Sequence, residues 1–102
     1  MEINKALNGT ELTMKLTGRL DTNTSPQLDA ELDGLDNVTK LIMDMEGLNY
    51  ISSAGLRVLL RAQGVMDKKK GTNKEGMVVK NLRPEVKDIF DLTGFSEILA
   101  CE

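Results

Sequence analysis

Hydrophobic positions along the chain switch between the two-residue period of strands and the 3.6-residue period of helices, and the switches lay out its elements. Leu12, Met14 and Leu16 alternate with Thr13, Lys15 and Thr17, the pattern of a strand with one wetter face. Asn8-Gly9, between residues 1–7 and 11–17, is a hairpin turn signal, so an antiparallel pair is expected to open the chain. Thr24-Ser25-Pro26 predicts a helix start, with Ser25 as cap and Pro26 at the first helical position. Leu28, Leu32 and Leu35 supply its apolar stripe, and Gly34 with Asp36-Asn37 ends it. The run Leu41-Ile42-Met43, closed by Asp44, predicts a buried strand meeting water at its carboxyl end. A polar connection with Gly47 and Asn49 as turn residues follows.

Leu56, Leu59, Leu60 and, on adjoining rows, Val58, Ala62, Val65 and Met66 then take up helical spacing, with Arg57 and Arg61 four apart on another face. The lysine-rich segment 67–74 is expected to be a solvated helix end before a glycine stop at Gly71, rather than a phosphate-binding patch. Met77 to Lys80 predicts a strand, and Pro84 opens a helix carrying Val86, Ile89, Phe90 and Leu92. Thr93-Gly94 breaks that helix, and residues 95–99 are expected to form a final short strand. The order strand-strand-helix-strand-helix-strand-helix-strand implies an α/β fold. Its mixed, largely parallel sheet would have about five strands, the first antiparallel, with the helices mostly on one face. At 102 residues the whole chain, 1–102, is expected to be a single domain.

Composition removes more functions than it suggests. With no histidine, Ser-His catalysis, histidine phosphotransfer and the commonest zinc ligand are absent. No P-loop or Gly-x-Gly-x-x-Gly occurs, and the Gly-x-Ser-x-Gly nucleophile pattern fails at Ile51. The chain is therefore not expected to be an enzyme, and neither a cofactor nor a metal is implied. A net charge of −3 and three aromatic residues (one Tyr, two Phe) argue against nucleic acid as a partner. There is no apolar run long enough for direct membrane insertion and no signal-peptide core. The single cysteine, Cys101, cannot form an internal disulfide, so a reducing cytoplasm is the expected location.

The candidate chemistry gathers where the central strand gives way to its helix. Ser52 or Ser53 should cap that helix, Ser53 being the better candidate, with its hydroxyl accepting from the N–H of Gly55 or Leu56. This places a hydroxyl at the rim beyond the strand ends, the usual functional edge of an open α/β sheet. Asp44 could be a phosphoacceptor of a receiver domain, but the first strands end without the acidic pair that would gather magnesium. The plainer expectation is a carboxylate bonding nearby backbone. Asp21, leaving the second strand, is either a turn residue or a site residue close to Ser53.

Residues 50–60, Tyr-Ile-Ser-Ser-Ala-Gly-Leu-Arg-Val-Leu-Leu, closely resemble the phosphorylation-site segment of anti-sigma factor antagonists, small single-domain STAS proteins. Residues 16–26, Leu-Thr-Gly-Arg-Leu-Asp-Thr-Asn-Thr-Ser-Pro, resemble the other signature loop of that family. The resemblance implies a switch. Such a protein binds an anti-sigma factor when unphosphorylated and so frees a sigma factor. The anti-sigma factor is typically a serine/threonine kinase that phosphorylates the antagonist, and a separate serine phosphatase resets it. The family acceptor lies two residues before the motif glycine, Gly55, which makes Ser53 the implied phosphoacceptor. Many members carry aspartate just before it, where this chain has Ser52. The implied partner-binding residues are Asp21, Thr22, Asn23, Ser52, Ser53, Ala54, Gly55 and Arg57. Two other roles share the fold: an accessory STAS subunit of a lipid-transport or other membrane complex, and a sensor of a small ligand or nucleotide.

Overall fold

The computed structural model describes residues 1–70 and 76–101. β1 (Glu2–Asn8) and β2 (Glu11–Leu20) form the expected hairpin, paired antiparallel from Glu2↔Thr17 to Asn8↔Glu11. β3 (Lys40–Ile51) runs parallel to β2, and β4 (Met77–Lys80) parallel to β3, so the sheet order is β1-β2-β3-β4. Between them lie α1 (Ser25–Glu31) with a following 3₁₀ turn (Leu32–Gly34), and α2 (Ser53–Lys70). α3 (Pro84–Thr93) and the short α4 (Phe95–Ile98) complete the chain.

The alternation of side chains across the sheet decides where the core lies. Leu12, Leu41 and Met77 stand in one row across β2, β3 and β4, and Met14, Met43 and Val79 in the next, all buried. Leu28, Leu32 and Leu35 pack against this face, with Leu56, Leu59, Ala62 and Met66 of α2 and Val86 and Phe90 of α3. A seven-residue helix such as α1 would not persist alone. Its buried Leu28, and Leu32 and Leu35 just after it, each add about 1.5–3 kcal/mol by leaving water, which makes packing the reason the helix exists. The opposite face carries the rows Thr13–Ile42–Val78 and Lys15–Asp44–Lys80. Ile42 and Val78 are buried but lie outside the main core cluster, so the helices cover one face, as expected.

Several expectations need correction. β3 does not end at Asp44. It continues to Ile51, because the expected turn at Gly47 and Asn49 is absorbed by two register shifts against β2, between Lys15 and Thr17 and between Gly18 and Arg19. At each shift β3 carries one extra residue, and the strand kinks instead of turning. Ser25 is the first helical residue and not the cap; Thr24 holds the cap position, and the Ser25 hydroxyl donates to Asp21 O at 2.5 Å.

Residues 95–98 are helical, not a fifth strand. Gly94 ends α3 in the left-handed conformation, the Ser96 hydroxyl donates to the Asp91 carboxylate, and Phe95 sits edge-on to Phe90 at 6.3 Å. A parallel bridge does reach β4, but later, between Val79 and Cys101. The sheet therefore has four strands rather than about five among the described residues. Leu60 and Leu92, expected on apolar stripes, are 44% and 87% exposed. The expected stop at Gly71, with Thr72, Asn73 and Lys74, lies outside the described residues.

Candidate functional site

β2 and β3 end side by side, with Leu20 opposite Ile51. One residue later the Ser52 N–H donates to Leu20 O at 2.9 Å, and α2 begins. Gly55 lies so near β2 that a Cβ there would stand 2.8 Å from Leu20 Cγ and 2.9 Å from Leu20 O. The start of α2 is thus pressed against the end of β2. The two sequence segments, 16–26 and 50–60, meet along one edge of the sheet.

The structure separates the two serines. Ser52 Oγ accepts the Gly55 N–H at 3.3 Å and Ser52 O accepts the Leu56 N–H at 2.9 Å, so Ser52 is the cap and Ser53 is the first helical residue. The expectation that Ser53 caps the helix is overturned. A capping side chain must reach forward to a free N–H from outside the helix, and only Ser52 is outside. Ser53 is exposed, and its hydroxyl makes no hydrogen bond among the described residues.

The β2–α1 loop is organised by Asp21. Its Oδ1 accepts the N–H groups of Asn23 and Thr24 at 3.0 and 3.1 Å and the Thr24 hydroxyl at 3.2 Å. The single Thr24 O–H is shared between that contact and the nearer Arg19 O at 2.7 Å, and its oxygen accepts the Asp21 N–H at 2.9 Å. Desolvation pulls the Asp21 pKa upward. The Thr24 and Asn23 N–H groups, the Thr24 hydroxyl and the Arg19 charge outweigh it and leave the pKa below the ordinary value. Asp21 therefore has a turn role whatever else it does, and its position after Leu20 brings it near the serine rim. Thr22 and Asn23, between the two bonded ends of the loop, face solvent.

A cleft of about 360 Å³ opens between α1 and α2, lined by Thr22, Ser25, Pro26, Ala54, Arg57 and Val58 among others. Across it Arg61 Nη1 bonds Asp29 Oδ1 at 2.6 Å, and Nη2 lies 3.5 Å from Asp33 Oδ1. Sequence reasoning singled out Arg61 only by its spacing from Arg57, which the family resemblance had also placed among the partner-binding residues. It missed the α1 carboxylates, because their register against α2 depends on tertiary packing. It also missed the stacking of the Arg19 guanidinium on Tyr50, 4.3 Å from the ring centroid, where two register shifts place the pair together.

Asp44 is occupied as the plainer expectation held. Its Oδ1 accepts the Glu46 N–H at 3.0 Å and an Asn81 side-chain N–H at 3.1 Å. No cluster of three or more potential metal ligands occurs among the described residues.

Comparison with known proteins identifies the family. The family model described as Mlab, STAS domain, matches residues 3–100. This chain belongs to the STAS-domain, anti-sigma factor antagonist family. BtrV of Bordetella bronchiseptica, named as a candidate anti-sigma factor antagonist, is 33% identical over 85 residues, which cover 81% of this chain and 70% of BtrV. The fold matches the anti-sigma factor antagonist SpoIIAA in its unphosphorylated form with a TM-score of 0.74, at 18% identity over 99% of this chain and 87% of that one. SpoIIAA of Bacillus in its phosphorylated form gives 0.73, at 18% identity over 99% and 91%. A sulfate transporter family protein from Wolinella succinogenes shares the fold at 0.75, with 17% identity over 94% and 76%. No helix of the described residues is long and apolar enough to cross a membrane.

Proposed function

We propose that this STAS domain is a phosphorylation-controlled antagonist that works in the cytoplasm. Unmodified, it binds an anti-sigma factor through the rim formed by Asp21, Thr22, Asn23, Ser52, Ser53, Ala54, Gly55 and Arg57. A phosphate on Ser53 ends that binding. The observation that carries the reading is the division of labour between the serines: Ser52 is committed to the cap, while Ser53 presents an exposed, unbonded hydroxyl.

In the transfer, Ser53 Oγ bonds the γ-phosphorus of ATP as the bond from that phosphorus to the bridging oxygen breaks, and ADP leaves. The hydroxyl proton passes to a base of the kinase, which also supplies the magnesium. The product adds about −1.5 to −2 charges. At the first helical position, exposed N–H groups and the helix dipole tolerate that charge, so the fold survives. A partner packed over the rim meets a bulky dianion, and desolvating it at an interface costs several kcal/mol. A serine phosphatase would restore the hydroxyl.

The test is a kinase assay followed by a binding titration against the anti-sigma factor. One phosphate should be added to the wild type and to Ser52→Ala, and none to Ser53→Ala. Unmodified Ser53→Ala should still bind, whereas Ser53→Asp should bind poorly. Modification of Ser53→Ala, with none of Ser52→Ala, would move the acceptor to Ser52.

A second reading draws on the Mlab description of the family model and the transporter-family neighbour. The same rim would then seat a component of a membrane transport complex. Capture of native partners and their identification by mass spectrometry separates the two readings, since a serine kinase belongs only to the first. A nucleotide sensor, the third possibility, would show itself in equilibrium dialysis.

A further inference from the structure

The chain has four arginines, and three have carboxylate partners. Arg19 lies 3.6 Å from Asp21, Arg61 bonds Asp29 and approaches Asp33, and Arg83 lies 3.7 Å from Glu85. Arg57 alone has no ion pair among the described residues, although it is exposed and borders the cleft beside Ala54. It follows Ser53 by four positions on α2, which brings their Cβ atoms to about 5–6 Å on one helix face. Long side chains on a helix lie back over the turn that precedes their own Cα, so the Arg57 guanidinium has the first turn of α2 within its reach. Arg61, one turn further on, is drawn sideways to α1 and does not compete for that turn.

We propose that Arg57 is the receptor for a phosphate on Ser53. The modified side chain would draw the free guanidinium back onto itself and form a two-pronged, charge-assisted pair within α2. Arginine suits the task because its planar fork matches two phosphate oxygens at once. The order is also the favourable one, with the anion nearer the helix N-terminus and the cation four residues on. Phosphorylation then changes the rim twice, adding a dianion and removing its one unengaged arginine from the surface offered to a partner. The inference rests on Ser53 as the phosphoacceptor.

The experiment bypasses the kinase. Phosphoserine is installed at position 53 by genetic code expansion, and the second ionisation of the phosphate is followed by phosphorus NMR in three chains: otherwise wild type, Arg57→Gln and Arg61→Gln. The helix N–H groups act on the phosphate in all three, so the differences isolate the arginines. The ionisation should lie ~0.5 pH unit lower in the otherwise wild-type chain than in Arg57→Gln, an attraction of the size expected for an exposed opposite charge, and the gap should close at high salt. Arg61→Gln should titrate like the wild type. Equal values for the wild type and Arg57→Gln overturn the proposal, as does an Arg61→Gln shift as large as that of Arg57→Gln. Arg57 is exposed, so a urea melt of the unmodified Arg57→Gln variant should match the wild type. If the kinase fails to modify Ser53, the functional reading falls while this titration still stands.

Discussion

At the rim, neighbouring residues of the same type do different work, and single substitutions should reveal it. Ser52→Ala deletes the acceptor of the Gly55 N–H and should cost about 0.5–2 kcal/mol in a urea melt. Ser53→Ala removes a hydroxyl with no partner among the described residues and should stay within about 0.5 kcal/mol of wild type. A larger loss at Ser53 than at Ser52 would contradict the assignment of the cap. Sequence alone could not choose between adjacent serines, because the choice turns on where the Leu20 carbonyl catches the chain.

Asp21 makes a prediction of a different kind. Its pKa is lowered in the folded protein from an ordinary 3.8, so its contribution to stability is full above that value. That contribution is lost as the pH falls through the lowered folded value. The Asn23 and Thr24 amide resonances should therefore shift together in acid, with a midpoint below 3.8. The same resonances in Asp21→Asn should show no such transition.

At the scale of elements, the contact between α2 and β2 can be tested with two glycines of one helix. Gly55→Ala puts a methyl against the Leu20 carbonyl, which belongs to the backbone and cannot swing aside. Overpacking costs about 1–3 kcal/mol, against a helix-propensity gain of about 1 kcal/mol, so a net loss of stability is expected. Gly64→Ala meets nothing within 4 Å and should gain about 1 kcal/mol. Thermal melts of the pair should move in opposite directions.

The β1–β2 hairpin, β4 and, Leu60 and Leu92 excepted, the apolar faces of α2 and α3 were legible in the sequence. β3 was legible only as far as Asp44. Beyond it, Glu46, Gly47, Asn49 and Tyr50 break the alternation, and the strand survives only because β2 holds it through two register shifts. Residues 95–99 looked extended in isolation. The bond from Ser96 to Asp91 and the packing of Phe95 on Phe90 wind them into a helix, and both are relations to residues in the preceding helix. The rim itself was legible from its two motifs, but the cleft and its ion pairs were not.

Taken whole, the molecule leaves β1 as an exposed edge strand of seven residues. Unpaired edges invite other strands, and a charge directed toward the core side is a common guard. Lys5 fills that place: it stands opposite Met14, and its ammonium reaches Glu31 at the end of α1, 2.8 Å away. Lys5→Val should leave the monomer folded yet promote self-association, visible as an earlier, concentration-dependent elution in size-exclusion chromatography. A strictly monomeric variant at all concentrations would show that the edge needs no such guard.

The hydrogen bond from the Ser52 N–H to Leu20 O joins parts of the chain more than thirty positions apart. A ribosome must release the whole of β3 and the start of α2 before that link can close. A peptide of residues 48–62 carries Ser53 but neither the Asp21 loop nor the β2 carbonyl that locates the helix start. On the proposed function, a kinase that recognises the assembled rim would ignore such a peptide, a nascent chain and a misfolded copy alike. Only a finished antagonist would then enter the count on which the cell sets its transcription.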